Sequence, residues 1–282
     1  MREPQIRLHA EMETVHWWFL GRRAIIRQLV EQVVPPSKGR VVIDVGCGTG
    51  GTLSEFAAGY RCIGVDTAPE AIALASRRFP SAEFRCAPVF ETLATDGPRA
   101  DLVLLMDVLE HVEHDVQFLA DIVASLRPGS HLLLTVPADM ALWSQHDVSC
   151  LHYRRYDRRS FERTWAGLPV TARLVSHFNT RLYPIARAVR TWSRFTGKAA
   201  GHAETDFTLP SPPVNEALRR IFAGEARVLN DTLQGRRRTG FSHGVSLMAI
   251  LRREQGQVAR PGAEPKAQGA SVGAGHGERR HA

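Results

Sequence analysis

Short apolar runs alternate with segments of helical periodicity through the first half of the chain. The apolar runs predict buried strands at Arg40–Val45, Arg61–Val65, Ala82–Cys86, Asp101–Met106 and His131–Val136. The amphipathic segments between them predict helices at Thr52–Ala58, Pro69–Arg78 and Val116–Leu126. Strands and helices that alternate at this spacing are typical of βαβ units, so we expect an α/β fold with a parallel sheet and helices on both faces.

The residues that flank this core follow different patterns. Residues 1–38 predict an N-terminal helical cap, because an apolar stripe recurs at helical spacing until Pro35 and Pro36 end it. The main domain is expected over residues 39–253. Within it, residues 138–160 mix charge and aromatic side chains without a clean period, which predicts a long functional loop.

The second half of the chain predicts fewer regular elements. Strands are expected at Thr171–Ser176 and Gly244–Leu251, with a helical insertion at about 178–240 before the last strand. Residues 254–282 are rich in glycine, alanine, proline and charge and offer almost nothing to bury. That composition predicts a disordered tail.

A glycine-rich loop follows the first predicted strand and leads into a helix. Gly46, Gly48 and Gly50 fit G-x-G-x-G, whereas Gly51 in the last place fits the dinucleotide pattern G-x-G-x-x-G. Asp66 ends the second strand, where a carboxylate accepts hydrogen bonds from a ribose diol. Both patterns therefore predict a site for an adenosine moiety.

Asp44 distinguishes the two interpretations of this loop. It comes two residues before the first glycine, so its carboxylate would repel a pyrophosphate and attract a cation. S-adenosylmethionine carries both an ammonium and a sulfonium group. With this carboxylate in place, the segment Asp44–Gly50 resembles motif I of the class I S-adenosylmethionine-dependent methyltransferases.

Other segments carry the same resemblance. Val65-Asp66 is similar to the acidic end of the family's second strand, residues 101–111 to its fourth strand and following loop, and 126–130 to the turn before its fifth strand. The resemblance implies a Rossmann-like fold, S-adenosylmethionine as cofactor and S-adenosylhomocysteine as product. The cofactor-binding residues it implies are Asp44, Gly46, Cys47, Gly48, Gly50, Asp66, Thr67, Met106 and Asp107.

Outside that core, further segments of the chain resemble a bacterial subgroup of small-molecule methyltransferases. The matching segments are Glu13, His16–Phe19, Gly21–Arg23, 152–156 and 244–246. The acceptors of the subgroup are mostly unassigned, so the likeness implies a fold and not a substrate. One stretch departs from the wider family, because Cys86–Val89 stands where an acidic residue often recognises the adenine amino group.

Two histidines are candidates for a catalytic base. His111 follows the fourth strand and His152 lies in the loop after the fifth, and the imidazole pKa suits proton transfer near neutral pH. Methyl transfer from a sulfonium can also proceed by proximity alone, without a dedicated base. Asp107, Glu110, His111 and His114 are an alternative divalent-metal set, although we expect no metal.

The acceptor side is predicted from aromatic and basic residues. Trp17 and Trp18 are expected to form part of an apolar lid, while Arg154 and Arg155, with Tyr156 beside them, suit a carboxylate or phosphate. The basic amphipathic stretch 181–198 fits either a lid helix packed on the sheet or a segment that touches anionic lipid.

Composition narrows the class of protein. The net charge of +7 allows an anionic partner or simply solvated basic faces, and no base-flipping motif or RNA-binding module supports nucleic acid. Four scattered cysteines, no signal-peptide pattern and no long apolar run predict a cytoplasmic protein.

The function expected from the sequence is methylation of a small molecule. Oxygen of a secondary metabolite or of a glycan-related or lipid-linked compound is the favoured acceptor. N- or C-methylation, a nicotinamide-dependent oxidoreductase and a non-catalytic cofactor-binding protein are the alternatives. The oligomeric state is not predicted.

Overall fold

The computed structural model describes residues 3–196 and 208–258. Its strands are β1 (Val41–Val45), β2 (Arg61–Asp66), β3 (Glu83–Cys86), β4 (Ala100–Met106), β5 (His131–Pro137), β6 (Val170–Phe178) and β7 (Ser246–Arg253). Its α-helices are α1 (Glu3–Val15), α2 (Trp17–Val33), α3 (Gly51–Ser54), α4 (Pro69–Arg78), α5 (Val89–Asp96), α6 (Asp115–Ala124), α7 (Gln145–Ser149), α8 (Arg158–Arg163), α9 (Tyr183–Thr196), α10 (Pro212–Ala223) and α11 (Ala226–Leu233).

The strands form one mixed sheet in the order β3-β2-β1-β4-β5-β7-β6. Strands β1 to β5 are parallel to one another, while β7 runs antiparallel between β5 and β6. The chain reverses its strand order beside β1, between β1 and β4, which is where open α/β sheets bind ligands at the carboxyl ends of the strands. The predicted Rossmann-like fold with helices on both faces is confirmed.

Side chains of each central strand alternate between two apolar cores. In β1, Ile43 and Val45 face the core shared with α5, α6 and α8, whereas Val42 faces α2, α3, α10 and α11. Asp44, two residues after Val42, is directed to this second face because side chains alternate along a strand. The sheet therefore aims this buried carboxylate at the side that α2 covers.

The N-terminal cap and the helical insertion are packed on each other. Gly21 of α2 lies so close to Phe222 of α10 that a Cβ built on Gly21 would come within 2.8 Å of the ring. Phe222 is fully buried and stacks on Phe178 at the end of β6. The insertion predicted before the last strand is thus present, and it rests on α2 as well as on the sheet.

Two details of the sequence-based expectation needed correction. Helix α5 was not predicted, because its eight residues are too few for a clear helical period. Residues 138–160 are not wholly irregular, since capping boxes at Ser144 and Asp157 start the short helices α7 and α8. The tail predicted at 254–282 lies, from residue 259 onward, outside the described residues. Within the described ranges, no helix combines the length and apolar character needed to cross a bilayer.

The close approach of α2 and α10 predicts a stability effect. Gly21→Val should lower the free energy of unfolding by about 1–3 kcal/mol, because the added side chain must displace the buried Phe222 ring. Urea unfolding measures the change. Gly39→Ala is the control, since the nearest atom to its added Cβ is 3.9 Å away, and it should shift the free energy by less than about 0.5 kcal/mol. Equal effects of the two substitutions would contradict the packing described.

Candidate active site

The glycine loop after β1 has the backbone shape that only glycine adopts easily. Gly46, Gly48 and Gly50 all have positive φ, at 70°, 53° and 84°. A Cβ on Gly50 would also lie 2.8 Å from the Phe84 ring. The loop leads into the first turn of α3, so its backbone lies open at the carboxyl edge of the sheet.

Asp66 fastens this loop to the end of β2. One carboxylate oxygen accepts the Gly48 N–H at 2.9 Å, and the other accepts the Ala68 N–H at 2.9 Å. Thr67 follows at the exposed rim of the same edge. The contact with a ribose predicted for Asp66 stays a prediction. In addition, its hydrogen bond to Gly48 holds the glycine loop in place.

Asp44 is a buried carboxylate with an unmet hydrogen-bonding demand. It is 2% exposed, and its Oδ1 has no hydrogen-bond partner among the described residues. Burial raises the pKa of this carboxyl to about 8, a shift that nearby Arg22 only partly opposes. A cationic group placed here would satisfy Asp44, so the site fits the ammonium group of the implied cofactor.

Arg22 is the main site residue for which the sequence analysis gave no role. Its guanidinium contacts Asp107 Oδ2 at 2.7 Å and donates to Thr135 Oγ1 at 2.7 Å, and it lies 4.8 Å above the Trp18 ring. Thr135 in turn donates to Asp107 Oδ1 at 3.0 Å. Arg22 therefore joins the cap helix α2 to the ends of β4 and β5, directly beside the Asp44 carboxyl.

Asp107 has an unusual backbone at this junction. Its φ is +57°, a conformation that asparagine and aspartate tolerate better than most residues. The bend directs the chain after β4 away from the sheet and leaves Met106 half-buried in the α2-side core. Asp107 and Met106 thus lie at the edge where they were predicted.

Helix α1 covers the start of α3 through a buried carboxylate. Glu13 is 3% exposed and pairs with Arg78 of α4. A Cβ on Gly51 would collide with the Glu13 carboxylate, which shows how closely α1 approaches the first turn of α3. His9 of α1 also contacts Thr49 Oγ1 at 3.2 Å. Helix α1 thus covers the end of the glycine loop at Thr49–Gly51 and leaves Gly46 exposed.

The two tryptophans predicted to form a lid have different surroundings. Trp18 carries the Arg22 guanidinium on its ring and packs edge-on against Phe19. Trp17 instead packs against Phe222, and its backbone N–H donates to Asn215 at 2.9 Å. Trp18 therefore lies beside Arg22 at the carboxyl edge of the sheet, whereas Trp17 joins the cap to the insertion.

The two predicted base candidates are neighbours in space. The rings of His111 and His152 are edge-on with centroids 4.7 Å apart. His111 reaches solvent, yet desolvation by the surrounding protein and then the nearby His152 lower the pKa of its imidazole to about 4. It is therefore neutral throughout the neutral pH range.

His152 is oriented by a buried carboxylate. Its Nδ1 lies 2.9 Å from Asp147 Oδ1, and Asp147 is fully buried. Although burial alone would raise the pKa of Asp147, the His152 hydrogen bond and Arg155 hold it far below the usual range. An ionised carboxylate only accepts hydrogen bonds, so Nδ1 carries a proton and donates it to Asp147, which leaves Nε2 as the ring nitrogen free of that contact.

The basic residues after His152 have structural partners. Arg155 donates to both Asp147 oxygens at 2.8 and 3.0 Å and to the Ala138 carbonyl, and it is buried. Tyr156 is buried too and donates to Asp115 at 2.7 Å. Because both side chains are buried, Arg155 and Tyr156 are not open to the acceptor contact that was predicted for them. Arg154 is more open, although it pairs with Asp115 at 3.0 Å and with the Glu113 carbonyl.

The metal-binding alternative is rearranged by the fold. Among the described residues, Glu110, His111 and His152 bring ligand atoms within 4.8 Å of one another. Both Glu110 carboxylate oxygens are buried without a hydrogen-bond partner, and burial raises the pKa of this carboxyl well above its usual value. Either protonation of Glu110 or a bound cation would neutralise the charge of this buried carboxyl. The sequence-based expectation of no metal stays a prediction.

Comparisons with known proteins agree with this geometry. A family model described as a methyltransferase domain matches residues 18–182. A ubiquinone biosynthesis O-methyltransferase from Methylobacterium sp. (strain 4-46) is 38% identical over 100 residues, which are 33% of this chain and 39% of that protein. A trans-aconitate 2-methyltransferase from Methylobacterium nodulans is 32% identical over 110 residues, 38% of this chain and 42% of that protein.

The full architecture has counterparts among solved structures. In a complex of a Haloferax volcanii methyltransferase with a methyltransferase activator, the matching chain is 17% identical with a TM-score of 0.54. The match covers 90% of this chain and 95% of that one. At such low identity the likeness concerns the fold alone. The chain spans only about two fifths of the length of the curated relatives it matches.

The raised pKa of Asp44 predicts proton release on cofactor binding. At pH 7 a carboxyl with a pKa of about 8 is mostly protonated, and a bound ammonium would ionise it, so about one proton should leave. Calorimetry with S-adenosylmethionine in buffers of different ionisation enthalpy measures this. Asp44→Asn has no carboxyl proton at this position, so cofactor binding to this variant should not release it. Identical release from both proteins would contradict the role given to Asp44.

Proposed function

Because the chain belongs to the class I S-adenosylmethionine-dependent methyltransferases, we propose that it methylates an oxygen atom of a polar or anionic small molecule. The observation that carries this proposal is His152, held by a buried, ionised Asp147 with Nε2 left to accept a proton. That arrangement suits a hydroxyl acceptor, whose proton must leave as the new bond forms.

The residues at the carboxyl edge suit the cofactor's functional groups. Asp44 would take the ammonium, and Arg22, whose Nε is buried without a partner among the described residues, would meet the carboxylate. Asp66 and Thr67 lie where β2 ends, as the ribose requires, with Gly46, Cys47, Gly48 and Gly50 as the close backbone wall. When bound, S-adenosylmethionine supplies a methyl group on a sulfonium, which is already a good leaving group.

The acceptor would lie between the ends of β4 and β5. His111 and His152 adjoin there, and Arg154 is the half-open cation beside them. Because His111 is neutral at pH 7, it can accept a hydrogen bond from a hydroxyl without first losing a proton. Asp147 and Arg155 are positioning residues, since they contact His152 and the loop rather than open space.

Acceptor chemistry is the finer part of the proposal. Two matched relatives are named for an O-methyl transfer and for methylation of trans-aconitate. The first name supports an oxygen acceptor, and the second, which names a carboxylic acid, supports a basic contact at Arg154. A nitrogen acceptor is the second candidate, and it would depend less on His152 because a neutral amine attacks through its lone pair and can lose its proton to water after the bond has formed.

Cofactor binding tests the first half of the proposal. Calorimetry should detect S-adenosylmethionine and S-adenosylhomocysteine but no comparable affinity for NAD. Asp66→Ala should weaken cofactor binding by about ten-fold or more, because charge-assisted hydrogen bonds worth about 1.5–3 kcal/mol are lost. Glu70→Ala, an exposed carboxylate in the first turn of α4, is the matched control and should keep the wild-type dissociation constant. A preference for NAD, or an unchanged Asp66→Ala protein, would overturn this assignment.

The pH profile tests the second half. With a hydroxyl acceptor of the relatives' kind, His152→Ala should lower kcat/KM by about 10²–10⁴ and leave cofactor affinity unchanged, as loss of a general base does. His114→Ala, exposed and in the same segment as His111, is the control and should keep wild-type kinetics.

The same profile separates the two histidines. If His111 were the base, the rate would fall only as pH drops through about 4, where that imidazole takes up its proton. If His152 is the base, the fall in rate on the acid side should disappear in His152→Ala. A midpoint near pH 4 that survives in His152→Ala would identify His111 instead.

A further inference from the structure

Helix α9 displays apolar side chains to solvent. Ile185, Val189 and Trp192 recur at helical spacing and are 60%, 44% and 71% exposed. In a packed lid helix such a stripe would be covered by the protein. The lid expected from the sequence therefore has its apolar face on the outside.

A second group of exposed apolar residues lies on the loop after β5. Met140, Val148, Leu151 and Tyr153 are each at least half exposed, Leu151 most of all at 74%. Leu151 and Tyr153 flank His152 in the sequence, so this group borders the proposed acceptor side. Exposed apolar side chains scattered singly are ordinary, whereas groups of them on adjoining elements are typical of interaction surfaces.

Direct contacts join the helix to that loop. The Tyr183 hydroxyl donates to Asp139 at 2.7 Å. Arg190 donates to the Leu142 carbonyl and to Ser144 Oγ, and it lies 3.4 Å from the Asp147 carboxylate that orients His152. The helix, the loop and the base candidate therefore form one connected unit.

The stretch of sequence that contains α9 carries charge of a single sign. From residue 163 to residue 203 the sequence contains no aspartate or glutamate, whereas it contains Arg163, Arg173, Arg181, Arg187, Arg190, Arg194 and Lys198. On α9 itself, Arg187 is exposed beside the apolar stripe. A helix with an exposed apolar stripe, basic residues and no acidic residue has the character of an interfacial helix on an anionic membrane.

We infer that α9 and the exposed apolar side chains of the loop after β5 form a docking face for an anionic lipid surface. Ile185, Val189 and Trp192 would enter the headgroup boundary, while the exposed Arg187 meets the phosphates. One consequence of this inference rests on the proposed function: the acceptor would be part of an anionic, lipid-linked compound at the membrane surface. Docking would bring His152 to the membrane surface.

Vesicle co-sedimentation of the full chain tests the docking face. The chain should bind vesicles of phosphatidylcholine mixed with phosphatidylserine, bind pure phosphatidylcholine much less, and bind less as salt increases. No binding, or equal binding to both vesicles, would overturn the inference.

A matched pair of double variants locates the surface. Ile185→Ser with Val189→Ser should weaken vesicle binding by about ten-fold or more, because two inserted apolar side chains are lost. Val214→Ser with Ile221→Ser removes two exposed apolar residues from α10 and should bind like wild type. Exposed sites tolerate such changes, so both variants should keep the wild-type melting temperature. Equal binding by the two variants would overturn the assignment to α9.

Two further measurements separate this inference from its rivals. If the face joined two copies of the chain, analytical ultracentrifugation would show a dimer that the Ile185→Ser/Val189→Ser variant converts to monomer, and this would overturn the lipid assignment. Cofactor calorimetry on that variant should match wild type. Vesicle binding without cofactor binding would defeat only the proposed function, and cofactor binding without vesicle binding would defeat only the docking face.

Discussion

A carboxylate buried at the end of β1 is the constraint around which the rest of the site is arranged. Asp44 has little water and an oxygen without a partner, so its charge is stable only when a cation is near. The fold answers with Arg22, which α2 brings across the sheet edge to Asp107 and Thr135. The unpartnered oxygen of Asp44 suits this edge to a positively charged ligand, as we propose for the cofactor ammonium.

A second buried carboxylate organises the acceptor side by the opposite solution. Asp147 is as deeply buried as Asp44, but it is saturated by Arg155, His152 and the Ser144 backbone, so it stays ionised. Its role is then geometric, since it fixes the histidine ring and the loop after β5 together. The site thus contains two buried carboxylates: Asp44 has an oxygen without a hydrogen-bond partner, whereas Asp147 is fully hydrogen-bonded and orients His152.

The sequence predicted the parts of this molecule that depend on local pattern. The central strands, the glycine loop and the edge positions of Asp44, Asp66 and Asp107 follow from periodicity and motif spacing. The role of Arg22 could not be predicted because its partners, Asp107 and Thr135, are more than eighty residues away along the chain. Arg155 looked like an acceptor clamp because spacing does not reveal burial, and only the fold shows its guanidinium turned inward to Asp147.

The packing of Gly21 on Phe222 has a consequence for how such enzymes diversify. Helix α2 carries Arg22 to the cofactor edge on one turn and receives α10 on the neighbouring residue. A foreign insertion grafted between β6 and β7 would shift that helix and disturb the arginine with it. Chimeras that exchange acceptor specificity between relatives should therefore transplant residues 17–33 and 212–233 as one cassette, and recombination within such a lineage should retain or lose the two segments together.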